Sequence, residues 1–212
     1  MASVLTALIP PSGLVSWWPG DGSTIDIAGA SNGTFQGTAQ YYSSGKVDAA
    51  FWFNGTSNYV DIPSMNLGST FTVEFWMYPT GGGSYQHLVS NTSSSSNYGA
   101  LYYYPSSYVY FYQGGTNRMA TPANSVTYNT WSHIALTYDG SVSRLYVNGA
   151  LQATSSAFSM TFNNALRLGY STNNSDSRFS GLLDEVSLYN RALSVEEILA
   201  IYNSGSNGKT KP

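Results

Sequence analysis

The stretch Trp131-Ser-His-Ile-Ala-Leu-Thr-Tyr-Asp139-Gly140, continued by Leu145-Tyr-Val-Asn-Gly149, carries the pattern that decides the fold. Ile134, Leu136 and Tyr138 alternate with His133, Ala135 and Thr137, so the large apolar side chains fall on one face of an extended chain. Asp139-Gly140 turns the chain into a second strand carrying Leu145 and Val147, and Asn148-Gly149 turns it again toward Leu151 and Ala153. Both dipeptides favour tight hairpins because Asn and Gly tolerate positive φ. The reading is an antiparallel meander.

The same period of two extends outward from this stretch. Phe71, Val73, Phe75 and Met77 alternate with Thr72, Glu74, Trp76 and Tyr78. Leu166, Leu168 and Tyr170 form another strand, and Leu183 to Tyr189 the last strong one. Segments 81–84, 93–97 and 171–177 are rich in Ser, Gly and Asn and read as loop tips, since strand patterns resume directly on each side. Ser194-Val-Glu-Glu197 is a capping box, and Ile198, Leu199, Ile201 and Tyr202 follow at helical spacing. One short C-terminal helix is therefore expected to pack its apolar side on the strands. Residues 1–12 read as an N-terminal extension, 13–203 as one domain and 204–212 as a flexible tail.

Composition bounds the function. The 212 residues suffice for one large all-β domain. Aromatics make up 15% of the chain and the net charge is only −3, which describes a folded domain and not a disordered one. Eight Lys and Arg without a run give no electrostatic footprint for nucleic acid. No segment has the ~20 apolar residues of a membrane span, so membrane insertion is not expected. Cysteine is absent, which excludes disulfides, thiolate metal sites and a Cys nucleophile. Charged residues are only 9% of the chain, and a surface of hydroxyls, amides and glycines suits an extracellular, cell-surface or virion location. Met1 to Pro11 lacks the basic region of a signal peptide, so a trimmed signal or assembly within a virus particle is the expectation.

Three ordered segments resemble the laminin G-like branch of the concanavalin A-like lectin/glucanase superfamily. They are Gly13-Leu-Val-Ser-Trp-Trp-Pro-Gly-Asp-Gly22 with Asp26 and Asn32-Gly33; Ala50-Phe-Trp-Phe-Asn-Gly55 running through Tyr59-Val-Asp-Ile-Pro63 to Phe71-Thr-Val-Glu-Phe-Trp76; and Gly181-Leu-Leu-Asp-Glu-Val-Ser-Leu-Tyr-Asn-Arg-Ala-Leu-Ser194. The 131–149 stretch resembles the family's central hairpin. The resemblance implies an all-β, two-sheet antiparallel jelly-roll sandwich with six or seven strands per sheet. It also implies a structural calcium ion held by Asp184, Asp21 and the Asn54 or Gly55 carbonyl. Calcium takes six to eight oxygen ligands and accepts carbonyls readily. The other reading of Asp21 and Asp184 is that they only bond loop amides. Trp17, Trp18, Trp52 and Trp76 lie in the family segments and are expected mainly in the core, and Arg191 is expected to anchor the loop before the helix.

The sequence offers no catalytic set. Glycosidases of this superfamily carry Glu-x-Asp-x-(x)-Glu on a strand, supplying two carboxylates ~5–5.5 Å apart in retaining enzymes. Here Glu74 precedes Phe75 and Trp76, while Asp184 and Glu185 are adjacent and expected on opposite sides of their strand. His133 reads as structural, and nothing resembles a nucleophile elbow around either histidine. Tyr102, Tyr104, Tyr108, Tyr110 and Tyr112 are the candidate ligand platform, with Asn91 and Asn97 in the loop beside it. Tyrosine offers a flat apolar ring and a hydroxyl, which suits sugar stacking and protein interfaces alike. The other reading is a tyrosine-rich sheet face covered by its own loops.

The first functional expectation is a non-catalytic, calcium-stabilised binding or adhesion module for a glycan or surface polymer. A structural virion protein, assembling with other virion or cell-surface proteins, is the second. A glycoside hydrolase or lyase is the third.

Overall fold

The computed structural model describes residues 7–38, 40–82, 84–91, 99–104, 107–155, 164–171 and 177–212. Its strands, in chain order, are β1 (Leu14–Trp18), β2 (Thr34–Gln36), β3 (Tyr41–Tyr42), β4 (Ala50–Asn54), β5 (Tyr59–Ile62), β6 (Phe71–Pro79), β7 (Gln86–Asn91), β8 (Gly99–Tyr104), β9 (Tyr108–Gln113), β10 (Thr116–Ala120), β11 (Ser132–Tyr138), β12 (Ser143–Val147), β13 (Ala150–Ser155), β14 (Leu166–Leu168) and β15 (Ser180–Tyr189). The helix α1 (Val195–Ser204) follows.

Two antiparallel sheets result, as the alternation and the resemblance lead one to expect. The first has eight strands in the order β13-β12-β11-β6-β15-β4-β3, with β1 also paired to β15. The second has seven, β10-β9-β8-β7-β14-β5-β2. β4 and β1 share one edge of β15, β4 opposite residues 180–183 and β1 opposite 186–189.

The alternation places the core. Phe71, Val73, Phe75 and Met77 of β6, Ile134, Leu136 and Tyr138 of β11, and Leu183, Val186 and Leu188 of β15 face the second sheet. There they meet Leu88, Val89, Leu101, Tyr103, Val109 and Phe111. Removing each such side chain from water contributes roughly 1.5–3 kcal/mol. At the β12–β13 hairpin, Asn148 and Gly149 take φ values of 52° and 78°, the left-handed pair that a two-residue turn matching strand twist requires. Gly181 has φ 149°, and a Cβ there would lie 2.3 Å from the Tyr78 carbonyl oxygen, so only glycine lets β15 pass β6 at this point.

The capping box forms as read. The Ser194 hydroxyl accepts from the Glu197 amide, and the Glu197 carboxylate accepts from the Ser194 amide. Arg191 anchors the preceding loop through two bonds to Glu197, at 2.6 and 2.7 Å, and a third to the Ser12 carbonyl. Ile198 and Ile201 join Ala135, Tyr146, Tyr189 and Leu193 in a second, smaller core on the outer face of the first sheet. Leu199, expected on this apolar side, is instead 43% exposed, because its position rotates it past the contact line.

The flexible tail expected over 204–212 is a correction. The Leu8 amide donates to the Gly208 carbonyl and the Thr210 amide donates to the Leu8 carbonyl, so the two ends of the chain pair with each other. Lys209 is only 4% exposed. Its ammonium donates to Glu74 Oε1 at 2.6 Å and to Ser187 Oγ at 2.8 Å. Lys211 bridges Asp21 and Asp48 at 2.6 and 2.7 Å. The tail's Gly, Ser and Lys content reads as solvated because the carboxylates that hold it come from elements more than a hundred residues away.

Glu74 is fully buried, so removing its cation leaves an uncompensated charge. Lys209→Ala is therefore expected to lower unfolding stability by about 3–5 kcal/mol in urea titrations. An unchanged midpoint would mean that the tail is solvated after all.

Candidate functional site

The outer face of the first sheet divides into a sealed half and an open half. Beneath α1 and the tail lie Glu74, His133, Asp184, Glu185, Ser187 and Lys209, all buried. His133 Nε2 and Glu74 Oε2 are 3.0 Å apart, and Lys209 lies 3.8 Å from Glu185 Oε2. Burial by itself raises the Glu74 pKa, but the Lys209 ammonium and His133 outweigh it and hold Glu74 below the usual carboxylate range. Burial pushes Glu185 up to about 7, opposed by Lys209 and reinforced by the Glu74 charge.

The expectation that Asp184 and Glu185 face opposite sides is corrected here. The register against β6 shifts between Asp184 and Ser187, and Glu185 takes φ 56°. This β-bulge places two residues between the inward-facing Leu183 and Val186, where strict alternation cannot fit both. Both carboxylates are thereby kept out of the apolar core. The cluster has an acid–base composition, yet each of its side chains is buried from solvent.

The residues assigned to calcium are not all brought together. Asp184 Oδ2 accepts from the Lys46 and Val47 amides, while Oδ1 is buried with no hydrogen-bond partner. Burial pushes the Asp184 pKa up to about 8, the two amides oppose this, and the Glu185 and Asp21 charges add to it. Asp21 grips the same β3–β4 loop through the Ala49 amide. An orphaned carboxylate oxygen with a second carboxylate nearby fits a cation. Asn54 and Gly55 do not. Asn54 pairs with Ser180, four residues along β15 from Asp184, which is roughly 13 Å at strand rise. The Asn54 side chain accepts from the Thr56, Ser57 and Asn58 amides and closes its own turn. Among the described residues no three His, Asp or Glu side chains converge as metal ligands.

The tyrosines do share a face, on the outside of the second sheet. Tyr102 stacks on Tyr110 at 4.8 Å and Tyr104 on Tyr108 at 5.2 Å, while Tyr112 meets Tyr102 edge-on. Tyr102 and Tyr110 are buried by these neighbours and by His87, whose ring lies 4.2 Å from that of Tyr102. Burial pushes His87 down to about 4. Tyr104 is exposed, Tyr108 and Tyr112 are half-buried and the other two are buried, so the strip largely spends its ring faces on itself. Asn91 is a correction. It is buried, its Oδ1 accepts from the Gly99 amide, and it borders an interior gap with Val73, Leu101 and Phe111. It ties the end of β7 to the start of β8. Asn97 lies outside the described residues.

Sequence reasoning missed the open half of the first sheet. Beyond the reach of α1, Trp52, Tyr78 and Trp131 line a groove of about 410 Å³, with Tyr42 and Leu182 completing its apolar wall. Ser44, Thr80 and Asn129 supply its polar rim. The Tyr78 and Trp131 rings lie 5.4 Å apart. Asn129 holds a left-handed φ of 55°, fixed by its amide donating to the Pro79 carbonyl. Of the four tryptophans expected in the core, Trp18 alone joins the cluster between the sheets. Trp17 and Trp76 are buried under the tail and helix, and Trp52 turns outward into the groove. The outward positions were legible in the alternation of Trp76 and Tyr78 with the core residues, but not which of them the helix leaves uncovered.

Comparison with known proteins places this arrangement. No curated protein sequence matches the chain. Domain 4 of AbnA, a GH43 extracellular arabinanase from Geobacillus stearothermophilus solved with arabinotriose, superposes with a TM-score of 0.75 at 19% identity, covering 88% of this chain and 97% of that one. The binding domain of Paraclostridial Mosquitocidal Protein 1 gives 0.73 at 21%, with 91% and 52% covered. Trypanosoma rangeli sialidase gives 0.72 at 17%, with 95% and 35% covered. The chain thus spans about half of that toxin domain and about a third of the sialidase. At these identities the likeness is one of fold. A family model matches residues 54–199, more than half of the chain, and by it the protein belongs to the laminin G branch of the concanavalin A-like lectin/glucanases superfamily.

Proposed function

We propose that this domain is a non-catalytic carbohydrate-binding module working outside the cell, with the Trp52–Tyr78–Trp131 groove as its sugar site. The groove itself carries the reading. Its volume lies within the ~300–1,000 Å³ of ligand-sized pockets. It offers aromatic faces for the apolar side of a sugar ring and an exposed amide and hydroxyls for its edge. No charged side chain lines it, which favours a neutral saccharide. Support also comes from the fold relatives, among them an arabinanase domain solved with arabinotriose and a toxin binding domain.

Hydrolysis fits poorly. The groove has no carboxylate in its lining, and the Glu74 and Glu185 carboxylates on this face are buried against Lys209. Assembly with virion or cell-surface proteins is the second reading. It rests on Leu151, Val195 and Leu199, each more than 40% exposed on the edge strand β13 and the adjoining α1. A cation between Asp21 and Asp184 belongs to the first reading as a stabiliser of the β3–β4 loop, in competition with Lys211 for Asp21.

Two measurements test this reading. Trp131→Ala and Trp52→Ala each remove one wall of the groove and are expected to weaken binding of a neutral oligosaccharide, screened on a glycan array and titrated by calorimetry, by tenfold or more. Wild-type affinity in both variants would rule the groove out. The cation is tested by melting temperature against pH. Asp184 and Glu185 have folded pKa values raised to about 8 and about 7, so the fold retains protons that the unfolded chain has lost. Stability from these groups is complete below the ordinary carboxylate range and drains away as pH rises to about 8. His87, lowered to about 4, acts oppositely only below its unfolded pKa near 6.5. Between pH 6.5 and 8.5 the melting temperature is therefore expected to fall in EDTA, and calcium is expected to raise it at pH 8.5 and flatten the slope. Identical curves with and without calcium would remove the cation from the proposal.

A further inference from the structure

We propose that the outer face of the second sheet holds a separate site for an acidic sugar, a carboxylate or sulfate ester on a saccharide, built on Arg178 and Arg167 over the rings of Tyr59 and Tyr170. This site lies on the opposite sheet from the Trp52–Trp131 groove and goes beyond the neutral-sugar reading.

The basic residues single it out. Of the eight, Arg144, Arg167, Arg191, Lys209 and Lys211 are ion-paired with carboxylates, and Arg118 bonds Gln113. Lys46 lies over the Trp76 ring. Arg178 has no carboxylate within ion-pair distance among the described residues, and its Nη1 is buried without a hydrogen-bond partner. A charged donor stripped of water and given no acceptor is a cost that a fold tolerates where a ligand supplies the acceptor.

The guanidinium is held against an aromatic pair. Its centre lies 3.8 Å from the Tyr170 ring centroid and 5.3 Å from that of Tyr59. Arg167 approaches the same two rings at 5.3 and 5.0 Å. The rings are 5.0 Å apart, so two cations flank one aromatic pair. Stacking occupies the flat face of a guanidinium and leaves its in-plane N–H groups for the paired oxygens of an anion. Asp61 bonds Arg167 Nε and fixes its fork. Arg167 and Asp61 also line an open cleft of about 400 Å³ with Thr34 and Pro63, which gives the remainder of a saccharide somewhere to lie. Alongside, the His87 backbone pairs with that of Arg178 while its ring packs on Tyr102, which joins the site to the tyrosine strip. Aromatic rings and hydroxyls around two cations suit a sugar bearing one acid group. The Asp61 carboxylate and a net charge of −3 oppose a polyphosphate chain.

The test uses the intact chain and calorimetric titration with tetragalacturonate, sialyllactose, a chondroitin sulfate tetrasaccharide, neutral maltotetraose and a single-stranded oligonucleotide, each at 50 and 300 mM salt. At least one acidic saccharide is expected to bind, more weakly at high salt, and the arm that binds distinguishes carboxylate from sulfate. Arg178→Met and Arg167→Met are expected to weaken it tenfold or more, while Trp131→Ala leaves it unchanged. Because Arg178→Met removes an unsatisfied donor, its melting temperature is expected to equal or exceed that of the wild type. The proposal is overturned if no acidic saccharide binds, or if Arg178→Met melts lower with affinity unchanged, which would make Arg178 a prop for Tyr170. Tighter binding of a single-stranded oligonucleotide than of any saccharide would also overturn it. Loss of neutral-sugar binding in every arm, with acidic binding retained, would sink the groove and leave this site standing.

Discussion

The contact between the Lys209 ammonium and the Glu74 carboxylate governs how the first sheet can be covered. Alternation along β6 turns Glu74 away from the sandwich core, onto a face that also carries His133, Asp184, Glu185 and Ser187. A carboxylate on such a face is either left in water or matched before anything packs over it. The chain matches it with its own end. Lys209 reaches the face from a tail that Leu8 holds in place, and Trp17 lies beneath the ammonium at 4.9 Å. With that charge answered, α1 can lay Ile198 and Ile201 on Ala135, Tyr146 and Tyr189.

The open groove follows from the same covering. α1 is ten residues long and its last aromatic, Tyr202, reaches as far as Trp76. The next outward residue on β6, Tyr78, lies beyond it and pairs with Trp131 instead. Gly181 allows β15 to pass close to β6 at this level and sets Leu182 as part of the groove wall. One face of one sheet thus carries a sealed charged half and an open aromatic half. The open half differs from the sealed one in leaving Tyr42, Ser44, Thr80 and Asn129 exposed around the Tyr78–Trp131 pair.

The two outer surfaces also differ in charge. The first-sheet groove is lined without ionisable acids or bases, whereas the second sheet gathers Arg167, Arg178 and Asp61 around tyrosines. The fold alone selects neither. Structures that share the sandwich at 17–21% identity include an arabinanase domain, a toxin binding domain and a sialidase, which is what a scaffold hosting sites on its faces produces.

What the sequence determined by itself was everything local. Period-two alternation over 71–78 and 133–138 orients the core, Asn148-Gly149 turns the hairpin, and Ser194 with Glu197 starts the helix, because each depends on neighbours within a few residues. The family segments named the sandwich, and they singled out Asp184, as a calcium ligand or as an acceptor for the loop amides it does bond. Only the tertiary structure decided the rest. Asn54 and Asp184 are parted by strand register, a relation between β4 and β15 that no local pattern encodes. The bulge at Glu185 breaks the alternation that assigned it to the other side. The five tyrosines share a face as read, yet their exposure depends on stacking across β8 and β9. Trp52 and Trp131, 79 positions apart, and Lys209 and Glu74, 135 apart, meet only when the sheet forms. Such contacts depend on which strands become neighbours, and a linear pattern carries the orientation of each side chain but not the identity of what stands opposite.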